Sequence, residues 1–184
     1  SLITLGSAQA NNGVRDVWEY KNINDVELLT EKDYSPHGFT ALLDAVGRAV
    51  EIIDVSQVNK AVTDREGVLL LIITDGEENA SNKFNKDIVK KTLENRQKNN
   101  WLVSYIGADV DAFAEAGSFG LDSSRTLNSS KASMAAIINV LSNKTEALRT
   151  AYGAAGSSPS GSIDIKVLNE TFDYTDKDRK EANE

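Results

Sequence analysis

Apolar residues run unbroken from Val68 to Ile73 and stop at Thr74-Asp75-Gly76. A strand with one wet face alternates, so this run predicts a strand covered on both faces. Acids and amides follow at Glu77-Glu78-Asn79, and then a helical pattern. The order is strand, loop, helix, with the Asp75 carboxylate at the carboxyl end of a central strand. Open α/β sheets bind ligands in that location.

Upstream, Ser1–Leu5 reads as a buried strand and Asp16–Tyr20 as a second one. The turn residues Asn11-Asn12-Gly13 between them predict an antiparallel hairpin. Leu42, Leu43, Val46, Ala49, Val50 and Ile53 recur at helical spacing between Thr40 and Asp54. A helix over Asn85–Lys98 buries Ile88, Val89 and Leu93, and leads into an apolar strand over Trp101–Gly107. A short helix with Val110, Phe113 and Ala114 ends near Gly117, and a brief edge strand falls within Ser123–Asn128. Ser129 or Ser130 then caps a long helix carrying Met134, Ile137, Ile138, Leu141 and Leu148.

Strands alternating with helices predict an α/β fold: a doubly wound, mostly parallel sheet with one antiparallel strand from the hairpin, and helices on both faces. Residues 1–152 form the expected domain. Gly153–Ser162, rich in Gly, Ser and Ala, reads as a flexible linker. Beyond it Ile163–Val167 alternates like a strand, and the polar stretch Asp173–Glu184 reads as frayed or as a short exposed helix.

The net charge of -8 argues against a nonspecific nucleic-acid binder and is compatible with a cation site. The sequence of 184 residues has no cysteine, so thiolate chemistry and disulfides are excluded within it. That usage suits a cytoplasmic protein. No apolar stretch approaches the ~20 residues of a membrane-spanning helix. The first residues fall inside a strand-like run, which leads to the expectation of further residues upstream.

Thr40 and Asp75 form the candidate constellation. Hard cations such as Mg²⁺ take oxygen ligands and usually retain waters. A hydroxyl at a helix entry and a carboxylate at a strand end supply two such oxygens. Asp44, Glu77, Glu78 and Asn79 stand close by in sequence as an outer set around the ion. Simpler readings stand beside these. Asp75 also suits a helix N-terminal acid, as the lesser reading, and Thr40 an N-cap; Asp44 suits a packing or hydrogen-bonding role; Glu77, Glu78 and Asn79 suit a solvated loop. His37 cannot build a zinc site alone. Trp18 and Trp101 suit the core or an interface, and Asp109 and Asp111 suit helix starts.

Gly38-Phe39-Thr40-Ala41-Leu42-Leu43-Asp44, followed by Leu71-Ile72-Ile73-Thr74-Asp75-Gly76-Glu77, resembles the von Willebrand factor A domain, closest to its bacterial and bacteriophage branch. The stretches Tyr105–Gly117 and Thr175–Arg179 are similar to that branch as well. The resemblance implies a metal-ion-dependent adhesion site holding Mg²⁺ or Mn²⁺ through Thr40 and Asp75. The family's first metal loop, Asp-x-Ser-x-Ser, has no counterpart here; Ser157–Ser162 has the serines but no Asp. With that loop goes a central strand between those of Ser1–Leu5 and Val68–Thr74, expected from residues upstream or from another segment such as Ile163–Val167.

The function implied is a non-enzymatic binding module in which the cation grips an acidic residue of a protein partner. A MoxR-type ATPase is the partner that the resemblance suggests by extension, with no nucleic acid and no membrane. The cytoplasm of a bacterial host, or a virion, is the implied location. Two alternatives are a Mg²⁺-dependent phosphoryl-transfer hydrolase, which lacks a phosphate-cradling loop here, and a structural virion or scaffold component with a degenerate metal site.

Overall fold

The strand Trp101–Ala108 is buried at every position, as a middle strand must be. This is β4 in chain order, after β1 (Leu2–Leu5), β2 (Val14–Trp18) and β3 (Val68–Thr74). β5 covers Thr126–Ser129. The helices are α1 (Leu42–Gln57), α2 (Lys86–Lys98), α3 (Ala112–Ser118), α4 (Met134–Gly156), α5 (Ile165–Phe172) and α6 (Asp176–Glu181). The computed structural model describes residues 2–5, 14–19, 21–33, 38–58, 60, 67–108, 111–129, 134–156 and 163–183. The expected turn at Asn11–Gly13, His37, Asp109 and the serines Ser157–Ser162 lie outside the described residues.

The fold is α/β and Rossmann-like in its parallel strands. Two compact units divide it: Ser1–Glu66 with Glu77–Val89, and Gly67–Gly76 with Lys90–Glu184. In the second, β3, β4 and β5 form a three-stranded sheet in that order, parallel throughout. Leu70 pairs with Val103, Thr74 with Gly107, and Tyr105 with Thr126.

Side chains alternate across a strand, so β4 feeds two packing layers. Leu102 and Ile106 join Leu127, Ile137, Val140, Leu168 and Phe172 in one core cluster. On the opposite face the Tyr105 ring meets Phe119, just beyond α3, with centroids 6.2 Å apart and planes tilted 40°. Helical residues therefore cover both faces of β4.

β3 departs from expectation. Its unbroken apolar run predicted a central strand covered on both faces, yet only Ile72 and Thr74 are buried. The reason is its place in the sheet: β3 pairs with β4 on one edge and with no described residue on the other. The expected antiparallel strand is likewise not added to the parallel sheet. β1 and β2 form a two-stranded antiparallel sheet of their own, with a register shift between Leu2 and Ile3.

The expected strand at Ile163–Val167 is helical instead. Asp164 accepts from the Lys166 amide at 2.8 Å and caps α5. Ile165, Leu168 and Phe172 recur at helical spacing, which outweighs the alternation. The expected linker also begins inside α4, which continues to Gly156. Of the two readings of the polar end, the short exposed helix holds. Thr175 and Asp178 form a capping box that starts α6. Lys144 pairs with Asp178 at 2.9 Å, Arg179 reaches the carbonyls of Thr126 and Ser123, and Asn183 that of Asn128.

In the first unit, Arg48 of α1 binds Asp16 Oδ2 at 2.6 Å and Glu19 at 3.0 Å, tying the helix to β2. Gly47 lets the Phe84 ring lie against the helix, where an added Cβ would meet ring carbons at 2.5 Å. Among the described residues, no helix is long and apolar enough to cross a membrane.

Candidate functional site

The first turn of α1 carries amides that no helical carbonyl can satisfy. Its N-cap is Ala41, which has no capping side chain, so the simple reading of Thr40 as the cap does not hold. The amides are met instead from the loop after Gly76. Glu78 Oε2 accepts from the Leu43 amide at 2.8 Å, and Ser81 Oγ from the Asp44 amide at 3.0 Å. An acid at a helix N-terminus is also favoured by the helix dipole.

Glu78 closes its own loop as well. Oε1 accepts from the amides of Ala80 at 2.9 Å and Ser81 at 2.7 Å, while Oε2 takes the Ser81 hydroxyl at 2.7 Å. Burial pushes the carboxyl up, but these bonds and that from Leu43 outweigh it and hold Glu78 below its usual pKa. Asp44, only 6% exposed, mirrors the arrangement from the helix side. Its Oδ2 accepts from the Asn82 amide, and its Oδ1 from those of Lys83 and Phe84, at 2.8–3.0 Å.

Asn79 sits between these clamps. Its Oδ1 accepts from the Thr40 amide at 2.8 Å, and its own amide donates to the Thr40 carbonyl at 3.0 Å. The Thr40 backbone is thus pinned on both sides. Its hydroxyl makes no hydrogen bond among the described residues.

Asp75 belongs to the other unit, where it is exposed at the bend that follows β3. The buried Thr74 hydroxyl shapes that bend, donating to the Gly76 carbonyl at 3.0 Å and accepting from the Gly76 amide at 3.2 Å. The structure therefore brings Thr40, Asp44, Glu78 and Asn79 together in one unit, with Glu77 exposed on the same loop, and sets Asp75 on the sheet of the second. Neither Ser81, which bonds both Glu78 and Asp44, nor the latch role of Asn79 was visible in the sequence; their partners lie far off in the chain and no periodicity marks them.

No family model, curated protein or solved structure matches the chain. The resemblance to the von Willebrand factor A domain accordingly rests on its motifs.

Asp44, Glu78 and Asn79 direct their oxygens at backbone amides, which leaves them structural. Among the described residues, no group of three or more His, Asp or Glu is placed to hold a metal ion. The Thr40 hydroxyl makes no hydrogen bond among the described residues, and Asp75, in the other unit, is exposed. The other singled-out residues have local roles. Asp111 caps α3 by accepting from the Ala114 amide at 3.1 Å, and Trp101 is buried with Arg96 over its ring.

Proposed function

We propose that the protein is a divalent-cation-dependent binding module of the von Willebrand factor A type, with Thr40 and Asp75 as its protein ligands. A Mg²⁺ or Mn²⁺ ion at such residues supplies a positive charge with exchangeable water positions, and a carboxylate from a protein partner completes its shell. The protein's part is to fix the Thr40 backbone between the two bonds from Asn79. No turnover is involved. The partner class is a protein with an exposed acidic residue. By resemblance, a MoxR-type ATPase in the bacterial cytoplasm is the first to try.

The observation that carries this reading is the Thr40 hydroxyl, which has no hydrogen-bond partner among the described residues while the backbone around it is held on both sides by Asn79. One observation favours a structural role instead: Asp44 and Glu78 are wholly occupied in fastening the loop to α1. Calorimetric titration with Mg²⁺ and Mn²⁺ decides between the two. Binding in the wild type that is lost in both Thr40→Ala and Asp75→Ala supports the module. Absence of binding in a folded wild type leaves the structural role.

A further inference from the structure

Within the second unit, an open pocket of about 430 Å³ lies beside the segments that lead into β4 and β5. The end of α2 brings Glu94, Gln97 and Lys98 to it, Arg125 stands immediately before β5, and α5 adds Ile165 and Asn169. Pockets of that size hold small molecules.

Its polar groups are notable for the partners they lack. Glu94 and Lys98 carry opposite charges at i and i+4 on α2, the spacing at which such side chains pair along a helix. Both line the pocket, and neither forms an ion pair among the described residues. Glu94 is placed by packing instead: a Cβ added at Gly120, where φ is 74°, would meet its Oε1 at 2.8 Å and its Cγ at 2.9 Å. Arg125, only 8% exposed, commits its Nε to Asp173 at 3.0 Å, and its terminal nitrogens bond no described residue. Gln97 donates from Nε2 to the Leu93 and Gly120 carbonyls at 3.3 and 3.4 Å, which leaves its oxygen as an acceptor. Asn169 Oδ1 is buried with no hydrogen-bond partner among the described residues. Buried oxygens normally have one, so this atom calls for a donor.

We infer that the pocket binds a small zwitterion of the α-amino-acid class. The two terminal nitrogens of a guanidinium match the two oxygens of a carboxylate, and Lys98 adds a second positive charge. Glu94 meets the ammonium group, with the oxygens of Gln97 and Asn169 as further acceptors. Ile165 offers an apolar wall to the side chain. A plain anion would face Glu94 and a plain cation would face Arg125 and Lys98, so the pocket selects for both charges in one molecule. The inference uses neither Thr40 nor Asp75 and stands apart from the cation reading.

Chemical-shift perturbation on the full chain, with a panel of the common amino acids, tests it. At least one should bind with a Kd of about 1 mM or tighter and shift amides around Lys98 and Arg125. The matching acid without its amino group, and the matching amine without its carboxylate, should each bind about tenfold more weakly or worse. Glu94→Gln should weaken the amino acid about tenfold and leave the des-amino acid unchanged, whereas Lys98→Met should weaken both. Neither side chain makes a hydrogen bond or ion pair with a described residue, so both variants should fold as the wild type does. No shift with any amino acid at about 10 mM would overturn the inference. So would binding that both variants leave unchanged. Inorganic phosphate binding as tightly as the amino acid, and equally well to Glu94→Gln, would overturn it too, since that marks a plain anion site.

Discussion

Asn79 and Thr40 hold one another across 39 positions of sequence, the side chain of one accepting from the amide of the other at 2.8 Å while a second bond returns at 3.0 Å. The pairing fixes the backbone of Thr40 without using its hydroxyl. Asn79→Ala removes the side-chain half of that grip and should lower stability by ~1 kcal/mol, the worth of an ordinary hydrogen bond. It should also weaken Mn²⁺ binding although both proposed ligands remain. Urea melts and calorimetry on the same variant check the two effects. Unchanged Mn²⁺ affinity would mean that Asn79 does not position Thr40 for the ion.

Glu78 makes the first unit sensitive to acid. Its folded pKa lies below its ordinary value of 4.5. A carboxyl lowered on folding contributes stability that is present above the unfolded pKa and lost as pH falls through the folded one. The first unit should therefore lose stability as pH drops below about 4.5, when Leu43, Ala80 and Ser81 lose their ionised acceptor. Glu78→Gln should be less stable at pH 7 by about 1–3 kcal/mol, because an amide nitrogen replaces one oxygen facing donors. Its stability should also fall less between pH 5 and pH 3. Urea midpoints across that range read both; parallel pH curves for the two proteins would refute the assignment.

The contact between Gly47 and Phe84 sets up a test of packing. A methyl at position 47 would stand 2.5 Å from ring carbons, so the ring or the helix must move. Overpacking of this kind costs about 1–3 kcal/mol, set against roughly 1 kcal/mol gained from replacing Gly by Ala in a helix interior. The net expectation for Gly47→Ala is a loss. Adding Phe84→Leu should recover part of it, because the smaller side chain vacates the space. A double-mutant cycle in urea measures the coupling; additive changes would show that the ring moves away freely.

How much of this was legible in the sequence differs from element to element. The α/β class follows from helical periods at Leu42–Gln57 and Lys86–Lys98 alternating with short apolar runs at Val68–Thr74 and Trp101–Ala108. Whether a strand lies inside or at an edge was not legible. β3 is more uniformly apolar than β4, which carries Ser104, yet β4 is the buried one. Composition sets what a strand tolerates, but its neighbours in the sheet decide what it meets. Ile163–Val167 shows a second limit, since five residues fit both periods and only Leu168 and Phe172 farther on settle the helix. At the candidate site, the hydrogen-bonding role open to Asp44 holds, whereas Glu78 and Asn79, which suit an outer set around an ion or a solvated loop, have partners that the sequence does not mark. Their hydrogen bonds span 35 to 40 residues and fasten a loop to a helix, which no local pattern encodes.

Among the bonds that fasten the C-terminal segment to the sheet, one pair is buried. Ser104 Oγ and the Tyr174 hydroxyl lie 2.7 Å apart, and the serine also donates to the Arg125 carbonyl at 3.1 Å. Burial pushes the Tyr174 hydroxyl up to about 12, against a partial lowering by the Ser104 bond. An acid with a raised folded pKa binds its proton more tightly when folded, so its contribution is complete below the unfolded value of 10.0 and disappears as pH climbs towards 12. Tyr174→Phe should cost ~1 kcal/mol at pH 7 for the lost bond, while making the fall in stability between pH 10 and pH 12 shallower than in the wild type. The fall should not vanish, since burial raises Tyr105 and Tyr152 as well. Ser104→Ala discriminates the causes: it removes the same bond but leaves the buried phenol, so it should be destabilised at pH 7 and retain the steep alkaline limb. If Tyr174→Phe kept the full alkaline slope, the titrating group would be one of the other tyrosines and not the one that fastens the C-terminal segment.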